Sequence, residues 1–451
     1  MRCVKAGFVG FGEVNTPREV IESLCADAAA KLRSLGWLLS ETAPVSDDPA
    51  YAEANRAVAD LKQADMDLLV VCVAGWIPTH TVIHVTDKFR HTPMLLWGLT
   101  GWMDHGRLVT TAPQAGTSAL RQVMQGLGYA FRYVYSIVDQ PAPLGKIAAF
   151  GRAALTAALL RDARVGSMGY RDMLLYGTMF DGLALRREIG VEVECFDMLE
   201  MVRNLDKVDE QEARRILAEC LDQWTFDKEP DEAVLLRGIR YYLALKIKVE
   251  ERGYQAITLI DVDGMKKLEG FPPAMVFMLL ADRLDLCTTP ENDIIGNVTQ
   301  LMVKYLSGQA AHYMEFYEYF QDRVLIGVPD YVPGAAVRGD VHMLPAAFGS
   351  FSGSLLNTSK VKDGTVTLLR LVEENGRYKL HMVTGRAVQP RSWEEYGWTH
   401  PAPQLASLEV ILDTPVEQFA DKVASQHTIV AYGDLRDAVT QLCRILKIEI
   451  I

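Results

Sequence analysis

Cysteine is sparse and never paired. The seven present, Cys3, Cys25, Cys72, Cys195, Cys220, Cys287 and Cys443, stand singly. Neither the close spacing of a zinc cage nor the density of a disulfide scaffold is there, so a reducing, cytoplasmic setting is expected. Long apolar runs are also missing. The most hydrophobic stretch, residues 68–77, is about half of the roughly 20 residues a membrane span requires, and we read it as a buried strand with no membrane partner. Positive charge is in deficit: 46 Lys and Arg face 58 Asp and Glu, a net charge of −12. A field of that sign repels nucleic-acid phosphate, which argues against a nucleic-acid partner. It does not exclude a small anionic substrate, because a few local Arg or Lys reverse the field inside one pocket. The first residues, Met1-Arg2-Cys3-Val4-Lys5-Ala6-Gly7, lack the apolar core and small-residue cleavage site of an export signal.

What is there is too much chain for one core. With 451 residues, 49% of them hydrophobic, about three domains are expected. Short apolar runs alternate with amphipathic stretches over 1–161, which predicts βα units with strands at 5–10, 68–73, 94–99 and 132–137 and helices at 17–35 and 50–63. A second such domain is expected over 162–308, with strands at 165–169, 191–196 and 256–260. Its helices are predicted at 230–252 and 291–306, the latter stopped by Ser307-Gly308. From 309 to 451 the texture changes: 365–372, 378–388 and 408–412 alternate apolar and polar residues, with turns at Asp363-Gly364 and Asn375-Gly376. The expected class is therefore α/β, with two Rossmann-like parallel-sheet domains followed by a smaller antiparallel, β-barrel-like C-terminal domain.

One motif is set aside. Gly7-Phe8-Val9-Gly10-Phe11-Gly12 sits between a strand and a helix, but its order is G-x-x-G-x-G, with Asn15 where a dinucleotide-binding turn wants glycine. It is read as a tight strand–helix turn.

The informative segment is Thr288-Thr289-Pro290-Glu291-Asn292-Asp293-Ile294-Ile295-Gly296-Asn297, followed by a helix to Gly308 and then Ala310-Ala311-His312-Tyr313-Met314-Glu315-Phe316-Tyr317-Glu318-Tyr319. Glu291, at a strand end and a helix N-terminus, stands where α/β folds place ligands and where the helix dipole favours an anion. Glu315, about 24 residues later, belongs to a strand that can face the same point. On residues alone, Glu291 is equally a first-turn helix residue, Glu315 a solvated strand position, and His427, in Ser425-Gln426-His427-Thr428-Ile429-Val430, a hydrogen-bonded structural histidine.

Together and in order, these segments resemble the L-fucose and L-arabinose isomerase superfamily. The E-N-D-x-x-G turn and the helix ending Leu-Ser-Gly are similar to L-fucose isomerases, the Met-Glu-x-Tyr-x-Tyr run to L-arabinose isomerases, and the C-terminal histidine before an apolar strand to L-fucose isomerases again. The resemblance implies that Glu291, Glu315 and His427 bind a divalent metal, Mn²⁺ or another such as Mg²⁺ or Co²⁺. It implies that Glu291 and Glu315 also move a proton between C1 and C2 of an open-chain sugar. Trp76, Trp398 and Gln426, which stands where the family has asparagine, are expected to contact substrate. Two departures bear on specificity. Pro329 stands where L-arabinose isomerases carry a further histidine ligand, leaving a three-residue site unless Asp330 moves in. The arginine of the first strand–helix turn that contacts sugar in L-fucose isomerases has no counterpart. The substrate is thus expected among pentoses, 6-deoxyhexoses and a sulfonated hexose such as sulfoquinovose, with Arg18, Arg90, Arg107, Arg386 and Arg391 available to an anionic group. The resemblance also implies homo-oligomers, trimers or hexamers. The alternative function, from a different class, is a sugar-binding or sensor protein without turnover.

Overall fold

The computed structural model describes residues 2–328, 331–345, 353–391 and 405–451. It divides into two compact units: Met1–Leu159 with Asp437–Lys447, and Leu160–Arg436 with Ile448–Ile451.

In the first unit five parallel strands lie in the order Leu38–Glu41, Lys5–Phe11, Leu68–Val73, Met94–Gly98, Phe131–Tyr135. Every residue of Leu68–Val73 and Met94–Gly98 is buried. That is why these strands read as continuous apolar runs rather than alternating ones: a parallel sheet meets helices on both faces and water on neither. The edge strand Leu38–Glu41 went unread because it is short and largely exposed. The helix expected at 17–35 is Arg18–Ser34, opening on Pro17, where a missing N–H leaves nothing unsatisfied. The segment Asp437–Lys447, most of it in the helix Arg436–Leu446, returns from the far end of the chain to this unit. Arg132, buried on the last strand, forks onto both carboxylate oxygens of Asp437 at 3.0 and 3.1 Å.

The second unit holds a parallel sheet, ordered Cys287–Thr289, Ala256–Leu259, Arg164–Met168, Glu192–Phe196, and a closed antiparallel barrel. The barrel runs Gly364–Glu374, His427–Tyr432, His312–Tyr319, Val324–Gly327, Ser407–Leu412, Arg377–Val388, and closes because the last strand pairs with the first. Asn375 and Gly376 join those two strands with φ of 54° and 75°, the paired left-handed conformation that a two-residue hairpin turn demands. Closure removes the exposed edges an open sheet would present. The expected α/β class with an antiparallel barrel is what the structure has. We propose that the parallel sheet and the barrel are separate domains, the second and third of the chain. One boundary is corrected: the helix expected from Glu291 is Ile294–Ser307, and Glu291 lies in the turn before it. Among the described residues no helix is long and apolar enough to cross a membrane.

Gly10, in the centre of the first sheet, faces the helix through Cys25: a Cβ placed there would overlap the Cys25 thiol. Gly10→Ala is therefore expected to lower stability by about 1–3 kcal/mol, the usual cost of overpacking a filled core. Gly10→Ala/Cys25→Ala should recover part of that loss in urea unfolding, and equal losses in the single and double variants would contradict this packing.

Candidate metal centre

The strand Cys287–Thr289 delivers the chain to the turn 290–293, which is held from three sides. The Glu291 N–H donates to Asp261 Oδ1 at 2.6 Å. The Asn292 amide donates to Ser167 Oγ at 3.0 Å and to the Met168 carbonyl at 2.8 Å, and the Asn292 N–H donates to the Leu259 carbonyl at 3.0 Å. These contacts fix a backbone that ordinary residues avoid: Glu291 and Asn292 have φ of 62° and 51°, a left-handed pair that costs of order 1–3 kcal/mol per residue. Strain of this kind persists where surroundings over-determine it, and here it turns the Glu291 side chain toward the barrel.

The other two expected ligands come from adjacent barrel strands. Glu315 and His427 are direct partners in the antiparallel register, so their side chains leave the sheet on the same face. His427 Nε2 lies 3.2 Å from Glu291 Oε2 and 3.5 Å from Glu315 Oε1. One donor atom from each of the three residues lies within 4.8 Å of the others. His427 and Glu291 are buried and Glu315 nearly so. The Tyr313 ring meets the imidazole edge-on, centroids 5.2 Å apart.

Two carboxylates and one imidazole converging in a buried recess fit a hard or borderline divalent cation, for which oxygen donors with one nitrogen suit Mn²⁺, Mg²⁺ or Co²⁺. Without a cation the electrostatics show the crowding. Burial alone would lower the His427 pKa, but hydrogen bonds to Asp293, Glu291 and Glu315 outweigh it and hold the imidazolium well above the ordinary histidine range. A cation entering this cluster displaces that proton.

Behind His427 stands Asp293, fully buried. Its Oδ2 lies 2.8 Å from His427 Nδ1, its Oδ1 accepts from the Gly296 N–H at 2.9 Å as the helix N-cap, and Arg370 forks onto both oxygens at 2.5 and 3.0 Å. Burial would raise the Asp293 pKa; the Arg370 guanidinium and His427 reverse the sign and hold the carboxyl well below the usual range. Sequence reasoning passed over both groups. In the sequence Asp293 reads as part of a turn, with nothing nearby in the chain to mark its partner. Arg370 carried a signal, a lone charge in the apolar run Leu368-Leu369-Arg370-Leu371 of a barrel strand, since a buried charge requires a partner.

The remaining expected residues stand as follows. The Gln426 amide lies 3.4 Å from Glu291 Oε2 and 3.2 Å from His427 Nε2, at the rim of the cluster. Trp76 belongs to the first unit, where the residue is 40% exposed. Trp398, Pro329 and Asp330 lie outside the described residues. Arg18 is engaged by Glu22, Glu53 and the Pro44 carbonyl, which commits it within the first unit.

No family model matches this chain. Among curated proteins, the L-fucose isomerase of Vibrio vulnificus (strain YJ016) is 23% identical over 342 residues, covering 67% of this chain and 56% of that protein. The L-fucose isomerase of Escherichia coli (strain SMS-3-5 / SECEC) is 23% identical over 344 residues, covering 67% and 57%. The chain spans a little over half the length of these curated relatives.

Because a ligand that binds only the folded state stabilises it by about 2.7 kcal/mol at one hundred times its Kd, Mn²⁺ is expected to raise the thermal midpoint. Glu291→Gln and His427→Ala should each abolish that rise, and a lower pH should weaken it as protons compete for the imidazole. An Mn²⁺-induced shift unchanged in both variants would remove these side chains from the ligand set.

Proposed function

We propose that this chain, related in sequence to the L-fucose isomerases, is a divalent-metal-dependent isomerase that converts an aldose to its 2-ketose through a cis-enediol. The observation that carries the reading is the meeting of Glu291, Glu315 and His427 at one point from three distant stretches of chain. Its further support is the pair of curated L-fucose isomerases that match two thirds of the sequence.

A bound divalent cation would supply charge stabilisation for the oxygens on C1 and C2 while negative charge develops there. The protein supplies the rest. Glu291 and Glu315 are the carboxylates beside the reacting carbons; one takes the proton from one carbon and returns it to the other, which is general acid–base work at a fixed distance. The left-handed turn at Glu291 and the strand register at Glu315 remove the freedom either side chain would otherwise lose on reaching the transition state. Gln426, carrying both an amide donor and a carbonyl acceptor, suits a sugar hydroxyl at the rim of the cluster. Trp76 and Trp398 are proposed as apolar surfaces for the sugar's C–H faces. Pentoses, 6-deoxyhexoses and a sulfonated hexose, sulfoquinovose to sulfofructose, are the substrates to try. Mn²⁺ is the cation to try first, and a trimeric or hexameric assembly in the cytoplasm completes the proposal. A sugar binder without turnover would have no use for a three-ligand set, so elemental analysis distinguishes it.

Chelation followed by Mn²⁺ add-back, assayed across that sugar panel, is expected to abolish and restore isomerisation. Glu291→Gln and Glu315→Gln should each lower kcat by about 10²–10⁴-fold, the range that positioned acid–base groups contribute. Turnover indifferent to metal would end the mechanism, and normal kcat in either variant would end that residue's role.

A further inference from the structure

We propose that Asp293 and Arg370 are positioning residues of the metal centre: Asp293 holds the His427 ring so that Nε2 faces the carboxylates of Glu291 and Glu315, and Arg370 holds Asp293. This rests on the metal reading of the site given above.

An imidazole has two nitrogens, and only the one without a proton can bind a cation. A carboxylate accepts and does not donate, so the 2.8 Å contact between Asp293 Oδ2 and His427 Nδ1 assigns the proton of the neutral ring to Nδ1. Nε2 then carries the lone pair, and Nε2 is the atom 3.2 Å from Glu291 and 3.5 Å from Glu315. Asp293 cannot turn away from this task. Its Oδ1 accepts the Gly296 N–H and one arm of Arg370, its Oδ2 accepts the other arm together with the ring, and a Cβ on Gly296 would run into the carboxylate. A two-armed guanidinium fixes a carboxylate in plane as well as in distance. Arg370 is itself tethered, its Nη2 donating to the Gly177 carbonyl at 3.2 Å. The charges close as well: Arg370 offsets Asp293, so the ring reaches a cation as a neutral ligand, and Glu291 with Glu315 offset a divalent ion.

A purely structural role would be the helix cap, which asparagine serves as well as aspartate. Asparagine has a single acceptor oxygen and an NH₂ that repels both Arg370 and an Nδ1–H. Asp293→Asn therefore keeps the cap and removes the positioning. Carboxylate partners of metal-bound histidines are worth about 10–100-fold in metal affinity.

The test is Mn²⁺ affinity, read by calorimetry, in the wild-type protein, in Asp293→Asn and in Asp293→Asn/Arg370→Gln. Each is melted without metal, and the visible absorption of each Co²⁺-loaded form is recorded. Removing one member of a buried ion pair leaves the other charge uncompensated, whereas removing both leaves none, so the double variant guards against a single variant that fails to fold. The expected result is an Mn²⁺ Kd raised about 10–100-fold and an altered Co²⁺ spectrum in folded protein. Wild-type affinity with an unchanged spectrum in a folded variant overturns the proposal, and so does weakened binding seen only where the folded state is lost. Wild-type protein that takes up no Mn²⁺ overturns the metal reading as well, a result distinguishable from the others because no variant enters it.

Discussion

The carboxylate of Asp293 joins the parallel sheet and the barrel of the second unit. It belongs to the turn that follows a sheet strand, caps the helix that follows the turn, and bonds two side chains from two different barrel strands, Arg370 and His427. A charge buried without partners costs several kcal/mol even after relaxation. Here one anion is shared among a backbone N–H, a guanidinium and an imidazole, so the same bonds that compensate its burial also fix the distance between the turn bearing Glu291 and the strands bearing Glu315 and His427. Removing the anion leaves the buried Arg370 guanidinium uncompensated, which makes the arrangement hard to erode one residue at a time.

That sharing explains why the turn tolerates its backbone. Two successive left-handed residues without glycine are uncommon, and the contacts that hold them come from two neighbouring strands and the turn after one of them: the Leu259 carbonyl and Asp261 accept from the backbone of Asn292 and Glu291, and Ser167 and the Met168 carbonyl accept from the Asn292 side chain. Glycine at 291 would relax the strain and lose the carboxylate; a right-handed turn would aim the same carboxylate elsewhere. The conformation is a consequence of needing an acid at that corner.

Much of this was legible in the sequence because the relevant signals are local. Fully buried strands announce themselves as unbroken apolar runs, and the hairpin at Asn375-Gly376 as the residues its turn type requires. The three acid and histidine positions were legible only as an ordered pattern, because none of them is unusual alone. What escaped is what distance in the chain hides. The return of Asp437–Lys447 to the first unit leaves no trace in alternation, since an amphipathic helix reads the same whichever core it covers. The Arg370–Asp293 pair spans 77 positions, and only the improbability of a guanidinium inside an apolar strand hinted at it. The start of the helix at Ile294 rather than Glu291 was misread for a related reason: an acid before an apolar run fits a first turn and a cap equally well, and the cap proved to be two residues further on, at Asp293.

The placement of Glu291, Glu315 and His427 has a mechanical consequence. Glu315 and His427 are locked to each other by strand register, so the barrel presents them as one rigid pair. Glu291 comes from a turn whose hydrogen bonds run to the parallel sheet, from the Asn292 N–H to the Leu259 carbonyl and from the Asn292 side-chain amide to the Met168 carbonyl. A cation held by all three would therefore bridge sheet and barrel beside the buried Asp293–Arg370 ion pair. The two connections differ electrostatically: Asp293 and Arg370 offset each other's charge, whereas Glu291 and Glu315 form a cluster of negative charge that a proton on His427 relieves and a divalent ion would relieve. A divalent ion bound there would compete with the proton for one imidazole, so pH would control the occupancy of the centre rather than the fold around it.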